Sequence, residues 1–301
     1  MADAALARIA AWDDPALFIS RVDPDALRAR ARRLAEEGPR GRALFGVPFV
    51  AKDNIDVADM PTTAACPNYA TTPGESAPAV VRLLAAGALP LGKTNLDQFA
   101  TGLAGVRSPY GVPHNAVRSD LVPGGSSSGS ATAVAAGLCA FSLGTDTAGS
   151  GRVPAMMNGI VALKPSLGLV PARGVVPACR SLDCVSVFAQ TVADAAAVLA
   201  VIAGPDAADP YSRAPPPFWR AAPSPQPAWR VAAPEPAGGA GGRHARGRLA
   251  LQRRAGAGGG ARGHDHPRGH RALPRHRPPP LRRRLAGRAD GGPARHGGGA
   301  A

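Results

Sequence analysis

The first forty residues carry apolar side chains at helical spacing, and short apolar runs separated by turn residues follow them. The clearest helix signal is at Asp23-Pro24, where an N-cap residue and a first-turn proline precede a stretch that stops at Gly38. Residues 1–40 are therefore predicted to form an N-terminal helical segment that precedes the core of the fold. No apolar run reaches about eighteen residues, so the pattern predicts no membrane-spanning helix.

Short apolar runs and apolar helices alternate between residues 46 and 203. The predicted strands are 46–51, 89–92, 141–145 and 159–163, and the predicted helices are 77–86, 96–103, 131–140 and 191–203. The helix over 131–140 has no polar face and should be buried on every side. This alternation indicates an α/β fold with a mixed, mostly parallel sheet core covered by helices. Residues 205–229 contain eight prolines and are predicted to be a surface connection.

The composition favours a cytoplasmic protein with a sizeable core. The chain has 301 residues, of which 45% are hydrophobic, and this suffices for one or two domains. Its four cysteines do not form a disulfide framework at this length, which favours a reducing compartment. The N-terminus lacks the basic and then apolar pattern of a secretion signal.

The net charge of +14 is confined to the last part of the chain. Residues 237–301 contain fifteen arginines and two aspartates, whereas residues 1–236 are nearly neutral. One interpretation is an arginine- and glycine-rich arm that binds RNA, which would make the protein a non-catalytic RNA-binding protein. Six of the seven histidines also lie in this tail, but their irregular spacing without cysteine predicts no metal site.

The small set of amino-acid types in the tail favours a second interpretation, which is translation in the wrong reading frame. Residues 237–301 use only Ala, Gly, Arg, His, Leu, Gln, Asp and Pro, and each of these can be encoded by a codon that begins with C or G. A GC-rich gene read one base out of frame would produce this set, with the slip between codons 230 and 242. We therefore expect two parts: a partial domain over 1–236 and a disordered, out-of-frame Arg/Gly/Pro-rich tail over 237–301. Nucleic-acid binding is not expected.

Three segments contain residues that could carry chemistry. Lys52 ends an apolar strand, Ser126 lies in a run of serines that opens a buried helix, and Ser150 closes a glycine-containing loop. Each has an ordinary structural explanation when it is taken alone: a solvated lysine, a linker and a turn. Spacing alone does not assign a function to them.

Taken together, the three segments resemble the amidase signature family. The matching motifs are Gly46-Val-Pro-Phe-Val-Ala-Lys-Asp-Asn54, Pro123-Gly-Gly-Ser-Ser-Ser-Gly-Ser-Ala131 and Gly144-Thr-Asp-Thr-Ala-Gly-Ser-Gly-Arg-Val-Pro154, within a resemblance that extends from about residue 40 to about 230. It implies the amidase signature fold and hydrolysis of an amide without metal or organic cofactor.

The resemblance also implies roles for individual residues. Ser150 would be the nucleophile, Ser126 a bridging serine preceded by a cis peptide, and Lys52 the base. A serine hydroxyl needs a neighbour that accepts its proton, and a lysine can do so only when burial keeps it neutral. The backbone N–H groups of Thr147, Ala148 and Gly149 would form the oxyanion hole.

The stretch from Arg173 to Ser186 resembles the branch of the family that hydrolyses allophanate. This implies release of ammonia and then carbon dioxide, as the second half of ATP-dependent urea breakdown, with a urea carboxylase as functional partner. A homodimer is a separate expectation that the resemblance does not imply. Ser128, where many members have glycine, and Arg180 are the candidate substrate contacts. The alternatives are the amidotransferase subunit that hydrolyses glutamine and a generic amidase. Because family members continue well beyond residue 236, we expect the encoded chain to be truncated, poorly stable and inactive.

Overall fold

The structure is a computed structural model that describes residues 1–217. Within this range the chain forms six α-helices and six β-strands. The helices are α1 (Ala2–Ala11), α2 (Pro24–Glu37), α3 (Pro78–Ala85), α4 (Ser128–Ala135), α5 (Arg152–Met157) and α6 (Val192–Ile202), and the strands are β1 (Phe18–Arg21), β2 (Pro48–Lys52), β3 (Leu89–Thr94), β4 (Phe141–Thr145), β5 (Val161–Leu163) and β6 (Val185–Ala189). The prediction of a disordered tail over 237–301 and the end of the proline-rich connection lie outside the described residues.

The six strands form one mixed sheet in the order β1-β3-β2-β4-β6-β5. Strand β2 is central and pairs in parallel with both β3 and β4. Strands β1 and β6 run antiparallel to their neighbours, so β2, β3, β4 and β5 share one direction. The predicted α/β class, with a mixed and mostly parallel sheet covered by helices, is confirmed.

Helices cover both faces of this sheet because the side chains of β2 alternate between them. Phe49 packs on the face covered by α3 and α6, whereas Val50 packs on the face covered by α1, α2 and α4. The parallel register places Phe49 opposite Phe141 of β4, and their rings stack with centroids 5.4 Å apart. This double burial explains why the strands read as continuous apolar runs.

The predicted start of α2 is confirmed in detail. The Asp23 side chain accepts hydrogen bonds from the N–H groups of Asp25 and Ala26, at 3.0 and 2.9 Å, and Pro24 occupies the first turn. The helix ends at Gly38, whose φ of 72° suits glycine.

The helix predicted over 96–103 is wrong. This segment is a loop with a single 3₁₀ turn at Gln98–Ala100. The buried Asp97 carboxylate accepts the N–H groups of Gly105 and Arg107 at 3.0 and 2.8 Å, which bends the chain around it. A side chain that binds backbone N–H groups several residues ahead competes with helix formation.

The buried helix begins earlier than predicted. Helix α4 covers Ser128–Ala135 rather than 131–140, so it includes the end of the serine run. Strand β1, helix α5 and strand β6 are additions that the sequence pattern does not predict individually. No helix in the described range is long and apolar enough to span a bilayer.

Candidate active site

Lys52 is held inside the sheet at the carboxyl end of β2. The strand is flanked by β3 and β4, and its register pairs Lys52 with Thr94 of β3. Its side chain is therefore enclosed by protein, and its exposure is 0%. A lysine in such a position needs hydrogen-bond partners or a lowered pKa.

The Lys52 amine has two hydroxyl partners. Its Nζ lies 2.8 Å from Ser126 Oγ and 2.7 Å from Thr145 Oγ1. Burial lowers the pKa of Lys52 to about 7, although the negative charges of Asp97, Asp183 and Asp146 oppose this change. Near neutral pH a large part of this amine is uncharged and can accept a proton.

Ser126 is presented to Lys52 by the turn that leads into α4. The Gly125–Ser126 peptide bond is cis, as the resemblance implies. The Ser126 carbonyl accepts the N–H of Asp97 at 3.0 Å, which fixes the turn from the other side. The next serine, Ser127, donates its hydroxyl to the carbonyl of Thr145 at 3.1 Å and so attaches the turn to β4.

The loop after β4 wraps around the carboxylate of Asp146. This side chain is fully buried and accepts the N–H groups of Gly149 at 2.8 Å and of Gly151 and Arg152 at 3.1 Å. The Arg152 guanidinium adds contacts at 2.8 and 2.9 Å. Burial alone would raise the pKa of the Asp146 carboxyl, but these hydrogen bonds outweigh it and lower that pKa to about 2. The loop that contains Ser150 is thus fixed by an ionised carboxylate.

Ser150 is 4% exposed and lies beside the serine run. Its carbonyl accepts the N–H of Ser127 at 3.3 Å, so the two segments are in direct contact. Among the described residues, however, the Ser150 hydroxyl has no hydrogen bond to Ser126 or Lys52. The structure therefore joins Lys52 to Ser126 directly and brings Ser150 next to them through its backbone.

Some backbone N–H groups around Ser150 have a hydrogen-bond acceptor in the described residues, and others have none. Those of Thr147, Ala148 and Ser150 have no acceptor within residues 1–217, whereas that of Gly149 is donated to Asp146. The expected set of Thr147, Ala148 and Gly149 therefore has one member whose N–H is already occupied. The role of this loop as an oxyanion hole stays a prediction.

Among the described residues, the side chains of the two candidate substrate contacts form no hydrogen bond with Lys52, Ser126 or Ser150. Ser128 is fully buried, and its hydroxyl donates to the Asn95 carbonyl at 3.4 Å. Arg180 is exposed and lines a cavity of about 340 Å³ together with Arg173, Asp183 and other residues. Their roles in substrate binding stay predictions.

Three residues that sequence reasoning did not select contribute to the site. Thr145 is the second partner of Lys52, Asp146 organises the Ser150 loop, and Asp183 accepts the Thr147 hydroxyl at 2.6 Å. The first two lie inside the matched motif from Gly144 to Pro154, at the end of β4 and at the start of the loop that follows it, and this is the available sequence signal for them. Within residues 1–217 no three His, Cys, Asp or Glu side chains cluster in a way that could hold a metal ion.

Comparison with known proteins identifies the family and several relatives of this chain. A sequence model of the amidase family matches residues 1–241. The chain is 55% identical over 171 residues to the urea amidolyase of Saccharomyces cerevisiae, covering 56% of this chain and 9% of that protein. The structure of Kluyveromyces lactis allophanate hydrolase superposes with a TM-score of 0.66 at 45% identity, covering 71% of this chain and 36% of that one.

A second group of relatives belongs to the glutamyl-tRNA(Gln) amidotransferases. The chain is 45% identical over 212 residues to an amidotransferase subunit of this type from Solidesulfovibrio magneticus, covering 69% of this chain and 43% of that protein. It thus spans about a tenth of the length of the urea amidolyase and less than half of the amidotransferase chain. Since the family model matches more than half of the chain, this protein belongs to the amidase family.

Proposed function

We propose that this chain carries the catalytic centre of an amide hydrolase in which Lys52 activates Ser150 through Ser126. The observation that carries the proposal is the fully buried Lys52 amine, 2.8 Å from the Ser126 hydroxyl, with a pKa lowered to about 7. A neutral amine beside a hydroxyl is a general base for that hydroxyl. The hydrogen bond from the Ser127 N–H to the Ser150 carbonyl supports the assignment of Ser150, because it joins the Ser150 loop to the segment that contains Ser126.

The reaction then proceeds through an acyl-enzyme. Ser150 Oγ bonds to the amide carbon while its proton passes to Ser126, whose own proton passes to Lys52. When the C–N bond breaks, the proton returns along the same path to the leaving nitrogen, which departs as ammonia. Water then attacks the ester, again giving its proton to the relay, and releases the acid and the free serine.

The developing oxyanion is stabilised by backbone N–H groups of the loop after β4. Thr147 and Ala148 supply two donors without an acceptor in the described residues, and Ser150 supplies a third. Gly149 contributes only if its N–H is shared between Asp146 and the oxyanion. One such donor typically contributes about 3 kcal/mol of transition-state stabilisation.

The substrate that we propose is allophanate. The similarity to urea amidolyase and to allophanate hydrolase supports it, as does the stretch from Arg173 to Ser186. Hydrolysis of the terminal amide releases ammonia, and carbon dioxide follows from the remaining carboxylated carbamate. A urea carboxylase that makes allophanate would be the functional partner, and the homodimer stays a prediction.

Ammonia release from allophanate tests this proposal, with Ser150→Ala as the control. In a protein whose whole domain is encoded, we expect ammonia release from allophanate, and we expect the Ser150→Ala variant to lack it. Equal ammonia release by Ser150→Ala would contradict the assigned nucleophile. The amidotransferase relatives favour glutamine as the second candidate substrate, so a glutaminase assay with and without added amidotransferase partner proteins separates the two.

We also propose that residues 237–301 are read out of frame and that the domain is therefore incomplete. The family match ends at residue 241, close to residue 237, where the restricted set of eight amino-acid types begins. This proximity supports a change of reading frame at this point. Restoring the frame should yield an active hydrolase, whereas the chain as encoded should turn over slowly or not at all. Nucleotide sequencing across codons 229–243 tests it: an independently sequenced locus that continues in the present frame contradicts the proposal.

A further inference from the structure

Residues 176–183 form a segment that connects the carboxyl ends of the two strands bearing the site. At one end, the Val176 N–H donates to the Asn54 carbonyl at 2.8 Å, two residues beyond Lys52. At the other end the segment enters β6, whose first residue pairs with Thr145 of β4. Arg180 is exposed on this segment.

Asp183 closes this segment and attaches it to the loop that contains Ser150. Its carboxylate accepts the N–H groups of Ala178 and Cys179 at 3.1 Å, which draws the segment into a turn. The same carboxylate accepts the Thr147 hydroxyl at 2.6 Å. Asp183 is 9% exposed, so little water competes for these hydrogen bonds.

We propose that Asp183 is a positioning residue that holds Thr147, and with it the N–H donors of the Ser150 loop, against the segment bearing Arg180. The inference rests on the proposed function. A ligand group bound by Arg180 and an oxyanion bound by the loop would then lie on a single rigid unit, because one carboxylate ties both parts together. Substrate binding and transition-state stabilisation are coupled through this side chain.

The negative charge of Asp183 also acts on the pKa of Lys52. A measurement of this pKa therefore separates the loss of the Asp183 charge from the loss of its hydrogen bond to Thr147. Asp97, Asp146 and Asp183 each favour the charged form of the buried Lys52. Removing the charge of Asp183 should lower the pKa of Lys52, and with it the pH at which Lys52 becomes a base. Removing the Thr147 hydroxyl should not lower it in this way, because Asp183 keeps its charge.

The test uses the full chain and a fluorophosphonate probe, whose labelling rate does not require turnover of a natural substrate. The Ser150 oxygen bonds to phosphorus, fluoride leaves, and the serine proton passes to the base. Asp183→Asn and Thr147→Val should each slow labelling by about tenfold to a hundredfold, as expected for a hydrogen bond to a charged group. The double variant should be no slower than Asp183→Asn, and Thr147→Ser should restore most of the rate.

Three further measurements decide the outcome. Asp183→Asn should shift the pH profile of labelling to lower pH, whereas Thr147→Val should not. The exposed control Asp120→Asn should behave as the unmodified chain. Hydrogen exchange should increase together in 146–151 and 176–184 in Asp183→Asn. Additive effects of the two variants, or faster exchange in 176–184 alone, would overturn the inference while leaving the hydrolase proposal standing. A chain whose reading frame has been restored and that is still not labelled at Ser150 would instead defeat the proposed function.

Discussion

Thr145 Oγ1 lies 2.7 Å from Lys52 Nζ, about as close as the Ser126 hydroxyl at 2.8 Å. Thr145 is the last residue of β4, and its carbonyl also accepts the Ser127 hydroxyl. One residue thus orients the proposed base and anchors the serine run. If the amine donates a hydrogen bond to Thr145, its lone pair is left for the proton of Ser126.

Replacing Thr145 by valine should therefore misdirect the amine while preserving the strand. We expect the labelling rate at Ser150 to fall by about tenfold, in line with the loss of one hydrogen bond. The charged form of Lys52 loses an acceptor, so its pKa should fall and the acidic limb of the rate profile should move to lower pH. Thr145→Ser keeps the hydroxyl and should retain most of the rate; a serine variant as slow as the valine variant would contradict this role.

Asp146 should contribute stability that depends on pH. Its pKa is lowered from 3.8 to about 2, so the ionised form is favoured in the folded state. This contribution is fully present above about pH 4 and is lost as the pH falls towards 2. Asp146→Asn should lower the free energy of unfolding by about 1.5–3 kcal/mol near neutral pH.

Urea denaturation between pH 7 and pH 3 measures this contribution. The unmodified chain should lose stability more steeply than Asp146→Asn as the solution is acidified below about pH 4. Asp120→Asn provides a matched control, because Asp120 is 63% exposed and pairs with an exposed arginine. Parallel pH curves for the unmodified chain and Asp146→Asn would show that the ionisation of Asp146 adds no pH-dependent stability, which contradicts the prediction.

Lys93 and Asp53 form a buried ion pair beside the site, with 3.6 Å between Lys93 Nζ and Asp53 Oδ1. Both side chains are 0% exposed. Burial raises the pKa of Asp53 and lowers that of Lys93, and each partner's charge opposes the change in the other. Lys93 also donates to Thr62, and Asp53 accepts from Thr63, so the pair connects β3 and the end of β2 to the loop at 61–65.

Removing only the lysine should be strongly destabilising because it leaves a carboxylate buried without its counter-charge. Lys93→Met is expected to cost about 3 kcal/mol of unfolding free energy, and the double variant Lys93→Met/Asp53→Asn should recover part of it. The exposed pair of Arg118 and Asp120 offers the comparison: Arg118→Met should cost less than about 0.5 kcal/mol. Equal losses in Lys93→Met and Arg118→Met would refute a structural role for the buried pair.

The sequence predicts those parts of the fold that rest on local patterns. Strands β2 and β4 are apolar runs that end in polar residues, and α2 begins at an N-cap and ends at a glycine. The helix predicted over 96–103 fails because Asp97 binds N–H groups eight and ten residues ahead, a preference that apolar spacing does not reveal. Strand β6 is buried at all five positions and lacks the alternation that marks an exposed strand.

The site is predictable from the sequence only to the extent that its motifs are contiguous. Resemblance to a family selects the segments of Lys52, Ser126 and Ser150. Thr145 and Asp183 also lie in matched segments, but the resemblance assigns them no role, because their contacts with Lys52 and Thr147 join residues 93 and 36 positions apart. Such pairings arise from the order of strands in the sheet, which a single sequence does not state.

The central claim is that a neutral Lys52 activates Ser150. The pH dependence of fluorophosphonate labelling at Ser150, located by mass spectrometry, tests it in the unmodified chain and in Lys52→Met. In the unmodified chain the rate should rise through about pH 7, where the amine loses its proton, and then level off. Lys52→Met should label at least about a hundredfold more slowly, with no rise near pH 7. A Met variant that labels as fast and with the same pH profile would contradict the account.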